Sequence, residues 1–500
     1  MSSLSKNIVF NYVGQFYVAF VGVLVLPFYL RFLGAEAYGL IGFFTLLQSC
    51  MQLLDMGMTP ALSREVANAR GIEGSAQQLK TLLRSLEVVF LSIAFATGIG
   101  IFLGRHWLSQ EWLTIQELDV QLVSDCIGLM GVMLAFRCFS CLYRGGIEGF
   151  EQMVWLNQYN ILFNTLRFPG ALGVIWLADG SVLAFFIYQV IVSLVEVLAI
   201  RVKLYKLVPG SEGVAVKFSA AEIKRILPFA AGLAYTGGIW VLVTQLDKLL
   251  LSKYLSLKDY GYFSLVATLS AAILLLSGPV SRAILPRMTI LLSQNKEQEM
   301  IALYRTATRF VVCIVAPVTL VMSFFSYEII YIWTGDSDAA RWIEPVWPLF
   351  ALGNGLLAIG AFQYYLQYAH GKLGLHIKYN TVSAAVSIPL IVYAAMNYGA
   401  IGVGYVWLGF RALSLLLWTP YVHKVFAPGI NRKWFFKDVL PALIAATAGA
   451  ALSFFLARDL FSESRVLGST LIAVSTAVSF GCAVLIAFFG KIKGMLRERF

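Results

Sequence analysis

Charge is what this 500-residue sequence is short of: Asp, Glu, Lys and Arg make up 13% of it, against 59% hydrophobic residues. A soluble domain carries roughly a quarter charged residues and covers itself with them, so a soluble globule is excluded. No extended hydrophilic stretch offers a paired-carboxylate site or a nucleophile with its histidine base. No phosphate loop is present either, because Gly371-Lys372 and Gly490-Lys491 lack the upstream glycine and the following hydroxyl. The chain therefore reads as no enzyme. There are four histidines, His106, His370, His376 and His423, in connections or at the ends of apolar runs. The six cysteines all fall inside apolar runs, where a thiol packs as a small hydrophobe, and no disulfide framework is expected. Cys138-Phe-Ser-Cys141 has metal-ligand spacing, but no second pair and no histidine accompany it, so no metal or other cofactor is expected.

What the sequence has in quantity is apolar runs of about 20 residues, each long enough to cross a hydrocarbon layer of ~30 Å. About fourteen can be read, at 8–30, 39–60, 84–104, 122–143, 153–177, 181–200, 228–250, 261–284, 309–327, 345–367, 379–397, 401–422, 439–457 and 466–490. An even number puts both termini on one side. Of 38 Lys and Arg, 26 lie at the ends and on even-numbered connections and 7 on odd ones, so the positive-inside rule makes both termini cytoplasmic. The net charge of +11 then faces anionic membrane lipid, and no nucleic-acid partner is implied. The first run has one preceding lysine, Lys6, and no small-residue cleavage pattern, so it reads as a retained span.

The segment LGAEAYG, Leu33 to Gly39, returns as LSLKDYG, Leu255 to Gly261, at an offset of 222 residues. Leu33/Leu255, Tyr38/Tyr260 and Gly39/Gly261 match, Arg31/Lys253 keeps its charge, and Leu53, Leu54 and Ala61 fall on Leu275, Leu276 and Ala283 without a gap. The offset contains six spans, an even number, which makes the halves parallel repeats with a cavity expected between them. The predicted fold is an all-α polytopic membrane protein of about 14 transmembrane helices, two parallel-repeat six-helix lobes plus two C-terminal helices. The N-lobe covers 1–205, a cytoplasmic linker 206–227, the C-lobe 228–425, and the last two helices with a tail 426–500. Ser75 to Ser85 and Asn295 to Arg309 each mix leucines with charged residues and read as short amphipathic surface helices.

Polar groups at membrane depth are costly and usually face a partner or a wet cavity. Asn157, Asn160, Asn164 and Arg167 recur at intervals of three, four and three, on one helical stripe; Arg167 precedes Pro169-Gly170, where a lost backbone donor can turn a carbonyl into a cavity. Thr45, Gln48, Gln52, Asp55 and Thr59 make a second stripe. Such stripes either line a lumen or bond helices to each other. Asp247 and Lys248 are adjacent near the outer end of span 7, where a structural pair is as good a reading as a functional one, while Arg137, Glu196, Arg282 and Arg411 lie within or near the ends of spans 4, 6, 8 and 12. Arg167 and Arg411 have no acidic residue within a turn. Guanidinium and amide groups suit a phosphate head on a sugar, since arginine offers paired donors to phosphate and amides serve hydroxyls. Candidate substrate contacts are therefore Arg167, Arg411, Asn157, Asn160, Asn164, Arg137 and Lys248; candidate ion-coupling groups are Asp55, Glu196 and Asp247. Tyr364, Tyr365 and Tyr368 with Gln363 and Gln367 offer sugar-stacking faces or an interfacial belt.

The stretch FLGAEAYGLIGFFTLLQSCMQLLDMGMTPALSREVA, Phe32 to Ala67, resembles the start of the polysaccharide transporters of the multidrug/oligosaccharidyl-lipid/polysaccharide flippase superfamily, the Wzx-type O-antigen flippases. The resemblance implies a bacterial inner-membrane protein that moves undecaprenyl-pyrophosphate-linked oligosaccharide to the periplasmic leaflet by alternating access through a cationic lumen, drawing on an ion gradient. Its implied partners are the lipid-linked oligosaccharide, membrane lipids, a polysaccharide polymerase and a chain-length regulator. A proton- or sodium-coupled multidrug exporter of the same superfamily is the alternative, and a non-transporting scaffold for polysaccharide assembly a third reading.

Overall fold

The computed structural model describes residues 3–69, 76–208, 217–457, 460–461 and 465–497. Among them no strand forms, only an isolated bridge between Thr114 and Ser256. The predicted apolar runs fall mainly on helix, in order, with the run 39–60 broken between Leu54 and Met58. Ten helical stretches among the described residues are long and apolar enough to cross a membrane. One of these, Gly374–Phe426, takes in two predicted runs and leaves helical geometry at Gly399 (φ 56°, ψ −143°), a conformation open to glycine because it has no Cβ. Contacts divide the chain into two compact units, Met1–Gly261 and Tyr262–Phe500.

The first unit holds α1 (Ser3–Leu33), α2 (Ala35–Leu54), α3 (Met58–Ala69), α4 (Ala76–Trp107), α5 (Val120–Gly149), α6 (Met153–Thr165), α7 (Ala171–Leu177), α8 (Val182–Leu207) and α9 (Ala220–Tyr254). The central helix is α5, packed against α3, α4 and α8, while α9 lies on α2, α3 and α4. Of the expected linker 206–227, residues 209–216 lie outside the described ones, and from Ala220 onward it is the start of α9. Between α2 and α3 the chain turns through Met56 (φ 48°) and Gly57 (φ 70°). This turn splits the second polar stripe: Thr59 sits on α3, its N–H donates to Asp55 Oδ1 at 3.2 Å, its hydroxyl bonds the same oxygen, and Asp55 thereby caps α3. The side chain of Gln52 is outside the described ones.

The repeated motif meets itself in this unit. A Cβ on Gly39 would collide with the carbonyl of Leu257 and reach Gly261 N at 3.2 Å; a Cβ on Gly261 would collide with the carbonyl of Ala35 and reach Gly39 N at 3.0 Å. Ala35 and Leu257 are themselves 222 residues apart, so the contact is reciprocal about a local two-fold, as in an isologous interface. Glycine is required on both sides because backbone packs on backbone. Next to it the Glu36 carboxylate, 2% exposed, accepts the N–H groups of Gln116, Glu117 and Leu118 at 2.5, 2.6 and 2.8 Å.

The second unit follows the first turn of α10 (Leu257–Ser293) and holds α11 (Glu297–Phe324), α12 (Ser326–Thr334), α13 (Ser337–Ile343), α14 (Trp347–Gly360), α15 (Phe362–Ala369), α16 (Gly374–Leu413), α17 (Thr419–Phe426), α18 (Ile430–Lys433), α19 (Leu440–Ala457) and α20 (Arg465–Arg497). Here α11 is central, against α14, α19 and α20. At its start Arg305 donates twice to the buried Asp438, at 2.6 and 3.0 Å, and Tyr304 bonds His423 at 2.7 Å, tying α11 to α17 and to the π-helical turn Trp434–Val439. His423, at the end of an apolar run, is fully buried; its other ring nitrogen meets Asn431 Oδ1 at 2.8 Å, which satisfies both polar edges.

The two amphipathic stretches are not separate helices. Ser75 lies outside the described residues, but from Ala76 the first is the start of α4 and runs on to Trp107; the second, from Glu297, is the start of α11. Between Ser85 and the apolar run, and between Arg309 and its own, no glycine or proline interrupts, so nothing stops either helix. The free-standing amphipathic helix is α3, whose Met58, Ala61, Leu62 and Val66 are buried.

Candidate functional site

A cavity of about 630 Å³ opens inside the first unit. Its polar wall comes from Gln48 on α2, Asp55 in the turn, Thr59 on α3, Arg137 and Arg144 on α5, Arg167 and Glu196; Met51, Phe90 and Leu233 supply apolar surface. Three guanidinium groups face two carboxylates. Among the lining residues cations outnumber carboxylates by one, an excess that is costly inside a bilayer.

Arg167 owes its position to a π-helical turn, Leu166–Gly170, between α6 and α7. Pro169 removes a backbone donor, and the wider turn leaves carbonyls without their helical partners. Side chains from neighbouring helices satisfy them: Tyr188 Oη donates to Leu166 O at 2.9 Å, Gln189 Nε2 to Arg167 O at 2.7 Å, and Tyr29 Oη to Phe168 O at 2.9 Å. The freed carbonyls are thus consumed by protein groups. The Arg167 side chain is ion-paired with Glu196 of α8, both nearly buried at 12% and 8% exposure. The expectation that Arg167 is unpaired is corrected: its carboxylate lies 29 residues away in sequence, on another helix, out of reach of any reading confined to one turn.

Arg137 differs. It makes no ion pair or hydrogen bond among the described residues, its Nε is buried without a partner, and its guanidinium lies 5.3 Å from the Phe44 ring centroid. Arg144, one heptad further on the same face of α5, donates to Asn160 Oδ1 at 2.8 Å. Arg144 is not among the sequence candidates; its spacing of seven from Arg137 is the signal that points to it.

The other sequence candidates are placed elsewhere. Asn157 is buried against Gly14 of α1, where a Cβ would come within 3.2 Å of its Oδ1; Asn164 donates back to Asn160 O at 2.7 Å; none of the three asparagines lines the cavity. Asp247 is buried in α9 and Lys248 folds back on its own helix, with Nζ 2.6 Å from Thr244 O and 3.3 Å from Asp247 Oδ1. Arg411 belongs to the second unit, its guanidinium 4.3 Å over the Trp407 ring. Gln363 and Gln367 are buried and bonded to each other at 2.7 Å, and Tyr365 donates to Ser281 at 2.6 Å, so this group knits its own unit together.

With this geometry in hand, comparison with known proteins is informative. Residues 4–292 match the family described as "Polysaccharide biosynthesis protein". Over 413 residues, 81% of this chain and 94% of the relative, the sequence is 20% identical to a Shigella flexneri protein named "Putative O-antigen transporter". The fold is similar to that of the lipid II flippase MurJ in an inward closed conformation, with TM-score 0.75, 14% identity, and 97% of this chain and 100% of that one covered. It is also similar to an inward-facing multidrug resistance MATE transporter of the MOP superfamily, with TM-score 0.62, 13% identity, and 85% and 99% covered. At such identities these two likenesses establish the fold alone. The match across more than half of its length means that this membrane protein belongs to the polysaccharide biosynthesis protein family.

Proposed function

We propose that the chain is a flippase of the bacterial inner membrane, both termini cytoplasmic, that carries undecaprenyl-pyrophosphate-linked oligosaccharide from the cytoplasmic to the periplasmic leaflet by alternating access. The observation that carries this reading is the wall of three arginines facing two carboxylates, with Arg137 making no ion pair or hydrogen bond among the described residues. A pyrophosphate supplies the missing negative charge, and guanidinium forks match phosphate oxygens two at a time. Gln48 and Thr59 on the same wall offer donors and acceptors to sugar hydroxyls. Arg167 stands on the same wall, held by Glu196, and a phosphate oxygen can take that carboxylate's place on its guanidinium.

The test is reconstitution of the full chain in liposomes with fluorescent lipid-linked oligosaccharide, beside complementation of surface polysaccharide in a deletion strain. Loss of flipping in Arg137→Ala and Glu196→Gln at equal expression is expected; wild-type flipping by both sinks the proposal. The multidrug-exporter reading draws on Asp55 and Glu196, two cavity carboxylates that organic cations would need. Both are engaged, by Thr59 and Arg167, and cations outnumber them. Resistance to cationic dyes on overexpression, without change in glycan, would favour it over flipping.

A further inference from the structure

A second cavity, of about 340 Å³, opens on the flank of the first unit where α4 begins and α5 and α8 end. Its two ends differ in chemistry. One is apolar, lined by Leu91, Phe136, Phe139, Leu194 and Leu198, of which Leu91, Leu194 and Leu198 are exposed by 57%, 40% and 50%. At the other end Glu87, 5% exposed, accepts from Tyr143 at 2.9 Å, from Tyr205 at 2.8 Å and from Arg84 Nη1 at 2.9 Å. Arg201 stands 3.9 Å from the same carboxylate and donates no hydrogen bond among the described residues. Arg84 and Arg201 keep half their side chains exposed, at 53% and 50%, so the head of the groove carries two cations on one buried anion and presents guanidinium donors outward.

We propose that this groove is a binding site for an anionic phospholipid of the membrane, its phosphate bridging Arg84 and Arg201 and an acyl chain lying between α4, α5 and α8. Three features lead there. The groove runs from a charged end to an apolar end, the polarity order of a lipid. Its excess charge is positive and placed near helix ends, where basic residues meet the headgroup layer. Arg201 has unused donors, and a phosphate oxygen is a strong acceptor for them without displacing Glu87 from its tyrosines. The site shares no residue with the arginine-lined cavity, so it stands whatever that cavity carries.

Native mass spectrometry of the delipidated full chain, titrated with dioleoyl phosphatidylglycerol, dioleoyl phosphatidylcholine or glycerol 3-phosphate, tests it. Expected is one phosphatidylglycerol retained under activation that strips phosphatidylcholine, and no adduct with glycerol 3-phosphate, which has no chain to fill the groove. Arg201→Gln and Leu198→Trp each lower that occupancy at least fivefold, the first by removing donors and the second by filling the apolar end. Both residues are half exposed; should Arg201→Gln fail to fold, Leu198→Trp decides alone. Full occupancy in the folded variants overturns the proposal, as does equal retention of phosphatidylcholine. Equal binding of glycerol 3-phosphate overturns it too, since the site would then be a plain anion site.

Discussion

Arg137 and Arg167 face one cavity from adjoining helices, and their different partners predict different costs of removal. Arg167→Ala leaves Glu196 buried and uncompensated, which costs about 3 to 5 kcal/mol by the behaviour of broken buried pairs, read as a lower midpoint in thermal unfolding. Arg137→Ala removes a buried cation that makes no ion pair among the described residues and whose Nε has no acceptor, so the midpoint stays or rises. Its effect is expected in transport instead: losing charged hydrogen bonds of about 1.5 to 3 kcal/mol lowers cargo affinity about tenfold or more. A matching drop in stability for Arg137→Ala would mean that it is a structural residue. Gln189→Leu tests the π turn separately. It leaves the Arg167 carbonyl with only the long contact from Tyr29 Oη at 3.4 Å, at a cost of about 1 kcal/mol in the same unfolding measurement. Asp55 combines a cap with a place on the cavity wall, so its two substitutions should part: Asp55→Ala loses about 1 kcal/mol of capping stability, while Asp55→Asn keeps the cap and changes only the charge. If Asp55→Asn supports the same dependence of flipping on the ion gradient as wild type, Asp55 does not couple.

At the scale of elements, the repeat accounts for more than sequence likeness. Gly39 and Gly261 occupy equivalent places in one reciprocal contact, so Gly39→Val and Gly261→Val are expected to destabilise by similar amounts, about 1 to 3 kcal/mol each from overpacking. Because they crowd the same seam, the double variant should lose less than the sum, a departure that a double-mutant cycle in thermal unfolding measures. The helices themselves were largely legible in sequence, since the apolar runs fall mainly on helix. Two kinds of boundary were not. The turn at Met56 and Gly57 interrupts a stripe whose three-four spacing reads as one continuous helix, because periodicity carries no mark of where a glycine will take positive φ. The amphipathic starts of α4 and α11 look separate by composition and are joined by the absence of a breaker.

For the whole molecule, the arrangement of basic residues predicts which connections face the cytoplasm. In a chain whose six cysteines are replaced by alanine, a cysteine at Arg341 should react with a membrane-impermeant maleimide added to intact spheroplasts, and one at Lys296 only after permeabilisation. Both side chains are more than half exposed, so failure to react reports the membrane and not burial. The reverse pattern would invert the topology and with it the direction of transport.

Sequence alone determined the solvent this protein lives in, the run of its helices and its internal repeat, because these depend on composition and on spacing along the chain. It also found Arg167, Glu196, Asp55 and Arg137 as groups in need of a reason at membrane depth. Tertiary structure decided which of them share a wall, that Glu196 neutralises Arg167, that Arg144 joins the site and that the asparagines do not, since those outcomes depend on which helices touch and no helix carries that information in its own periodicity.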